Sequence, residues 1–139
     1  MEAGLLVEKM FNAVNLLEKG LDASWLRNQV ITNNIANVDT PGFKNSRVAF
    51  ESLFKSALEQ GGFALKRTRE KHLHFNDTVD GISAKTVQNN GTTMRMDGNN
   101  VDIDYESAEL AKNTIYYNTL VQKISSEFRK LDMAINEGR

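Results

Sequence analysis

The 139-residue chain has no cysteine and one proline, and its apolar runs, such as Leu5-Leu6-Val7 and Ile115-Tyr116-Tyr117, stop at three residues. Without cysteine there are no disulfides, no thiolate metal sites and no cysteine nucleophile. A single proline, where average usage would give about seven, favours long uninterrupted helices. The apolar runs are far below the roughly 20 residues of a membrane-crossing helix and too short for a signal-peptide core, so an exported chain is expected to leave without a cleavable signal. Charge of one sign is also lacking: 17 basic residues face 18 acidic ones, for a net charge of −1. That balance gives no broad electrostatic footprint for nucleic acid or an anionic membrane. What is present, 40% apolar residues, suits one ordered domain spanning 1–139.

The apolar residues are unevenly distributed. Residues 1–36 hold 19 of them and residues 101–135 hold 17, whereas the 42 positions 59–100 hold 11 and carry five of the nine glycines. In the first segment Ala3, Val7, Met10, Val14, Leu17, Leu21, Ser24, Asn28, Ile31 and Ile35 alternate at spacings of four and three. This is a heptad seam with polar substitutions at Ser24 and Asn28, and it predicts a helix over 1–36. Leu5, Leu16, Ala23, Leu26 and Val30 form a second stripe roughly opposite. The last segment repeats the pattern in Leu110, Thr114, Tyr117, Val121, Ile124, Phe128, Leu131 and Ile135, with Ala108, Ala111 and Ile115 well round the helix. A helix over 101–136 follows, started by Asp102 or Asp104 as cap. The expected fold is mainly α, with the two terminal helices paired antiparallel as a coiled-coil core.

Between the helices, Thr40-Pro41-Gly42-Phe43 has the proline and glycine of a type II turn, and proline forces the first helix to end before Thr40. The turn region is expected over 37–46. Val48, Phe50, Leu53, Phe54, Ala57 and Leu58 suggest a short amphipathic helix over 47–59. Turn-rich sequence over 60–100 reads as flexible loop, with room for a short hairpin.

Motifs for chemistry are weak. His72-Leu73-His74 has the spacing of a metal pair on a strand, but no carboxylate–histidine set surrounds it, and exposed loop histidines are the simpler reading. Asp97 to Asp104 is rich in oxygen ligands, yet Val101 and Asp102 stand where a calcium loop needs oxygen and glycine, which leaves a turn entering a helix cap. Lys66 to Lys71 is a basic cluster interrupted by Glu70, and reads as a solvated loop. No nucleophile elbow, phosphate-binding loop or dinucleotide fingerprint is present, so the chain is read as not an enzyme, with no cofactor, metal or small-molecule substrate. The double stripe remains. One stripe of each helix is absorbed by pairing the two; Leu16, Leu26 and Val30, with Ala108, Ala111 and Ile115, are left for a protein interface.

Asn33-Asn34-Ile35-Ala36-Asn37-Val38-Asp39-Thr40-Pro41-Gly42-Phe43-Lys44 resembles the signature of bacterial flagellar rod and hook proteins at the end of their first helix. Its matching positions are Asn34, Ala36, Asn37, Thr40, Pro41, Gly42 and Phe43. The stretch from Met96 to Asp102, continuing to Glu109-Leu110-Ala111-Lys112-Asn113 and Tyr117, is similar to the short proximal-rod branch of the basal-body rod family. The resemblance implies a structural subunit of the flagellar basal body, exported by the flagellar apparatus. Its terminal helices would polymerise with copies of itself and other rod subunits into the periplasm-spanning shaft that transmits torque. Export-gate or basal-body base proteins are implied as partners. The assembly seams would be Val14, Leu17, Leu21, Ile31 and Ile35 with Tyr117, Val121, Ile124, Phe128 and Leu131. A soluble helical adaptor or export chaperone holding a partner helix is the alternative.

Overall fold

The computed structural model describes residues 2–50, 83–91 and 93–136, with backbone alone over 2–10 and at 12. In chain order the elements are α1 (Glu2–Ala36), β1 (Ser46–Ala49), β2 (Lys85–Gln88) and α2 (Ile103–Asn136). The helices have 35 and 34 residues and so extend about 50 Å each. The fold is mainly α, as the paired terminal stripes predict.

Both helix boundaries have local causes. α1 runs unbroken through Gly20 to Ala36, and its last carbonyls are taken by the amides of Asn37 and Val38. α2 is capped by Asp102, whose Oδ1 accepts from the amides of Asp104 and Tyr105 at 3.0 and 3.2 Å. Asp104 and Glu106 in the first turn suit the positive end of the helix dipole.

The short helix expected from residue 47 is not there at its start. Ser46–Ala49 is a strand, antiparallel to Lys85–Gln88, with Ser46 opposite Gln88 and Ala49 opposite Lys85. Its half-buried and exposed residues alternate, the period of a strand lying on a helix. Phe50, counted above as part of a helical stripe, is buried at the strand's end. Residues 51–59, the histidines at 72 and 74 and the basic cluster at 66–71 lie outside the described residues.

The two helices pack along each other, but not on the faces that the four-three seams suggest. α1 buries Gly20, Ala23, Ser24, Ile31 and Asn34; α2 buries Glu106, Asn113 and Leu120. At about 100° per residue these faces are rotated from the expected seams by most of one residue on each helix. Ala23, assigned above to the outer stripe, is buried, while Val121 and Phe128 stay 38% and 53% exposed. Small residues explain the choice. The position a Cβ would take on Gly20 lies 3.4 Å from Leu120 Cδ1, so that methyl sits where α1 presents no side chain. Deeper in, Ser24 Oγ donates to Asn113 Oδ1 at 3.0 Å, and Asn113 Nδ2 donates to the Ser24 carbonyl at 2.9 Å. A pattern of apolar residues cannot report a contact made by Gly, Ser and Asn.

Among the described residues, this rotation leaves one long side of the pair uncovered. In antiparallel right-handed helices, equal rotational offsets from the contact face point to the same side of the pair. The expected seams are displaced in the same sense on both helices. Val14, Leu17 and Leu21 of α1, half-buried, therefore share a side with the exposed Val121 and Phe128 of α2. The opposite side has β1 over it and a cleft of about 290 Å³, lined by residues that include Arg27, Val30, Arg47, Tyr105 and Glu109.

Candidate functional site

Where α1 ends, the chain is tied into a knot by asparagine side chains. Phe43 N donates to the Thr40 carbonyl at 3.3 Å and Gly42 has φ +72°, the hydrogen bond and the positive φ of a type II turn with Pro41 before it. Nothing lies within 4 Å of where a Gly42 Cβ would be, so backbone conformation alone demands glycine there. Asn37 Nδ2 donates to the Asn33 carbonyl at 2.8 Å, and its Oδ1 accepts from Thr40 Oγ1 at 3.2 Å, joining helix end to turn. Phe43 is half-buried.

Asn99 is the centre of the knot and is 0% exposed. Its Nδ2 lies 3.0, 2.9 and 2.9 Å from the carbonyls of Asn37, Val38 and Thr40. Two N–H groups serve three acceptors, so one hydrogen is shared. The same side chain's Oδ1 accepts from Val101 N at 2.7 Å, and its backbone carbonyl accepts from the amides of Met94 and Arg95. Gly42 N donates to the Asp97 carbonyl at 2.9 Å, Lys44 Nζ to the Gly98 carbonyl at 2.7 Å, and Arg95 Nη1 to the Val38 carbonyl at 3.0 Å. Gly98 has φ +86°, the left-handed region that favours glycine, while a Cβ there would stand at ordinary contact distance, 3.6 Å, from Gly42 Cα.

Two further asparagines act as spare peptide groups for the strands. Asn89 N donates to the Asn45 carbonyl at 2.9 Å, the next rung of the ladder beyond Ser46 and Gln88. The return bond is replaced by Asn100, whose Oδ1 accepts from Asn45 N at 2.7 Å and whose Nδ2 donates to the Asn89 carbonyl at 2.9 Å. Asn34 closes the outer edge of β1 likewise, donating to the Ser46 carbonyl at 2.9 Å and accepting from Ser46 N at 3.0 Å. Its second N–H goes to Glu106 Oε2 at 3.2 Å, which ties α1, β1 and α2 together at one point. Nearby, the Arg47 guanidinium stands 4.9 Å over the Tyr105 ring.

Of the motif positions, the structure brings Asn34, Asn37, Thr40, Pro41 and Gly42 into this knot and leaves Ala36 exposed. Ile31 is buried, Ile35, Ile124 and Leu131 are half-buried and Tyr117 is exposed. Leu16, Leu26 and Val30 are half-buried; Ala108, Ala111 and Ile115 are exposed, Ile115 by 69%. Among the described residues no three His, Asp or Glu side chains gather as a metal site. Asn99, Asn100, Ser24, Asn113 and Glu106 have roles that the sequence reading does not assign. The paired asparagines after Gly98 and before the Asp102 cap were the available signal, and they read there as turn chemistry.

The match to known proteins takes in the second half of α1 and the turn after it, and in the relatives most of the chain. The family model for the flagella basal body rod protein matches residues 18–44. A flagellar basal body rod protein FlgB from Bacillus subtilis is 37% identical over 123 residues, covering 88% of this chain and 92% of its own length. FlgB from Borreliella burgdorferi is 32% identical over 128 residues, 88% of this chain and 95% of its own. FlgB from Yersinia enterocolitica is 28% identical over 138 residues, 96% of this chain and all of its own.

Proposed function

The chain belongs to the FlgB family of flagellar basal body rod proteins, and from that membership we propose that it is a structural subunit of the proximal rod, polymerising through its terminal helices. The observation that carries the reading is the open apolar side of the helix pair, Val14, Leu17 and Leu21 beside Val121 and Phe128. A chain of this length has no further long helix among the described residues to cover it. The stripe Ala108, Ala111 and Ile115 lies on another face of α2 and is exposed, with no described element over it. A contact between two different faces passes from copy to copy without closing a dimer, and where its rotation does not close a ring it builds a helical shaft. Helices interlocked in this way resist torsion, because turning one breaks close packing in its neighbours. In this reading the subunit leaves the cell without a cleaved signal, meets other rod subunits above and the export-gate or base proteins below, and passes torque along the rod.

The test is a Val121→Asp/Phe128→Asp chain supplied as the sole copy in its host bacterium. Both side chains are exposed, so the purified variant should keep its unfolding temperature within about 4 °C, a shift of roughly 1 kcal/mol or less. Purified basal bodies should lack it and cells should not swim. Normal incorporation and swimming would overturn the proposal, as would assembly of a soluble complex with one partner helix in place of a polymer, the behaviour of an adaptor.

A further inference from the structure

We propose that Asn90 is a site of spontaneous deamidation, so that the loop after β2 converts with age to aspartyl and isoaspartyl forms. Asn90-Gly91 is the one Asn-Gly pair in the sequence, and both residues are exposed. The reaction needs the Gly91 backbone nitrogen to reach the Asn90 side-chain carbonyl carbon. A C–N bond forms between them, the bond from that carbon to Nδ2 breaks, and ammonia leaves with the proton given up by the Gly91 nitrogen. Water then opens the cyclic imide at either carbonyl. One opening leaves aspartate; the other leaves isoaspartate, with the backbone lengthened by a methylene. No redox partner or enzyme is required.

Three features favour this atom pair. Gly91 has no Cβ to obstruct ring closure, and the nearest heavy atom of the described residues beyond its chain neighbours to the Cβ position is Asn89 Oδ1 at 3.9 Å. The attacking nitrogen is held only by a long contact to that oxygen, at 3.4 Å. The loop carries no ladder bond beyond Asn89. Asp97-Gly98 offers the equivalent aspartyl chemistry in the same chain, but there both reacting groups are held. Its Gly98 nitrogen donates to the Arg95 carbonyl at 3.0 Å, and Asp97 Oδ1 accepts from Asn99 N at 3.0 Å. The buried Asn34, Asn99, Asn100 and Asn113 have their carboxamides committed to hydrogen bonds. The exposed asparagines elsewhere, such as Asn15, Asn33 and Asn118, are followed by residues with a Cβ, so among the described asparagines Asn90 reacts first. The product puts a new carboxylate next to Asn89, whose carbonyl holds Asn100.

The full chain is incubated in mildly alkaline buffer and digested with trypsin, which releases Thr86–Arg95 as one peptide. The amide-to-acid mass change should accumulate in that peptide first, with isoaspartate detected by methylation with protein isoaspartyl methyltransferase. Gly91→Ala should slow the conversion severalfold, and the Asp97-Gly98 peptide should gain no isoaspartate over the same time. Conversion elsewhere before Asn90, or an unchanged rate in Gly91→Ala, would overturn the proposal.

Discussion

The junction at the end of α1 and the far half of the helix pair are built on opposite rules. At the junction, Asn34, Asn99 and Asn100 are buried, and the amide groups of each meet backbone or side-chain partners. Along the far half, the exposed positions include Phe11, Val121, Phe128 and Ile135, apolar groups in contact with water. Polar groups that find all their partners within one chain make a unit that needs nothing more. Apolar groups left outside suit a unit that, on the proposed reading, neighbouring subunits complete. The lesson is that one chain carries a nearly finished joint, with Asn45 Oδ1 the one buried side-chain atom left without a partner among the described residues, and an open shaft.

The sharpest way to break that contrast is to unmake the joint. Asn99→Asp keeps the acceptor for Val101 N but replaces the donor with a second oxygen facing the carbonyls of Asn37, Val38 and Thr40. Loss of about 3 kcal/mol or more is expected, since buried carbonyls lose their partner beside a buried charge. Hydrogen exchange at the amides of Gly42, Asn45 and Val101 should accelerate accordingly, while the middle of α1 exchanges as before. A smaller effect is expected from Gly42→Ala, about 1–2 kcal/mol, because the site is roomy and only the left-handed φ is penalised. Gly42→Asn should recover part of that loss in the same urea titration. On the shaft the sign reverses. Gly20→Ala would place its Cβ at ordinary contact distance from Leu120, 3.4 Å, and remove a mid-helix glycine. Stabilisation of up to about 1 kcal/mol should appear as a higher unfolding temperature.

The two helices, the turn and the Asp102 cap were legible because each has a strong local cause: a period near 3.6, proline followed by glycine, an aspartate before an apolar run. The strand at Ser46–Ala49 was not. Val48 and Phe50 fit a helical stripe as readily as a strand, and what selects the strand is Asn34 and Asn100 binding its backbone from distant parts of the chain. The contact faces of the helices were hidden for a related reason. Seams are read from apolar residues, whereas the paired faces meet through Gly20, Ser24, Asn113 and Glu106. The motif asparagines were visible as a resemblance, but their partner Asn99 sits 62 residues beyond Asn37, in a loop whose composition says only turn.

The Ser24–Asn113 and Asn34–Glu106 pairs also bear on how a shaft behaves under load. Two helices in purely greasy contact can slide by a heptad and find similar neighbours. Here a slide of that kind strips two buried hydrogen-bonded pairs at once, at a cost of about 1–3 kcal/mol for each group left without a partner. The helices are splined to one another, so a pull or twist applied to one end of α1 reaches α2 as displacement of the whole piece.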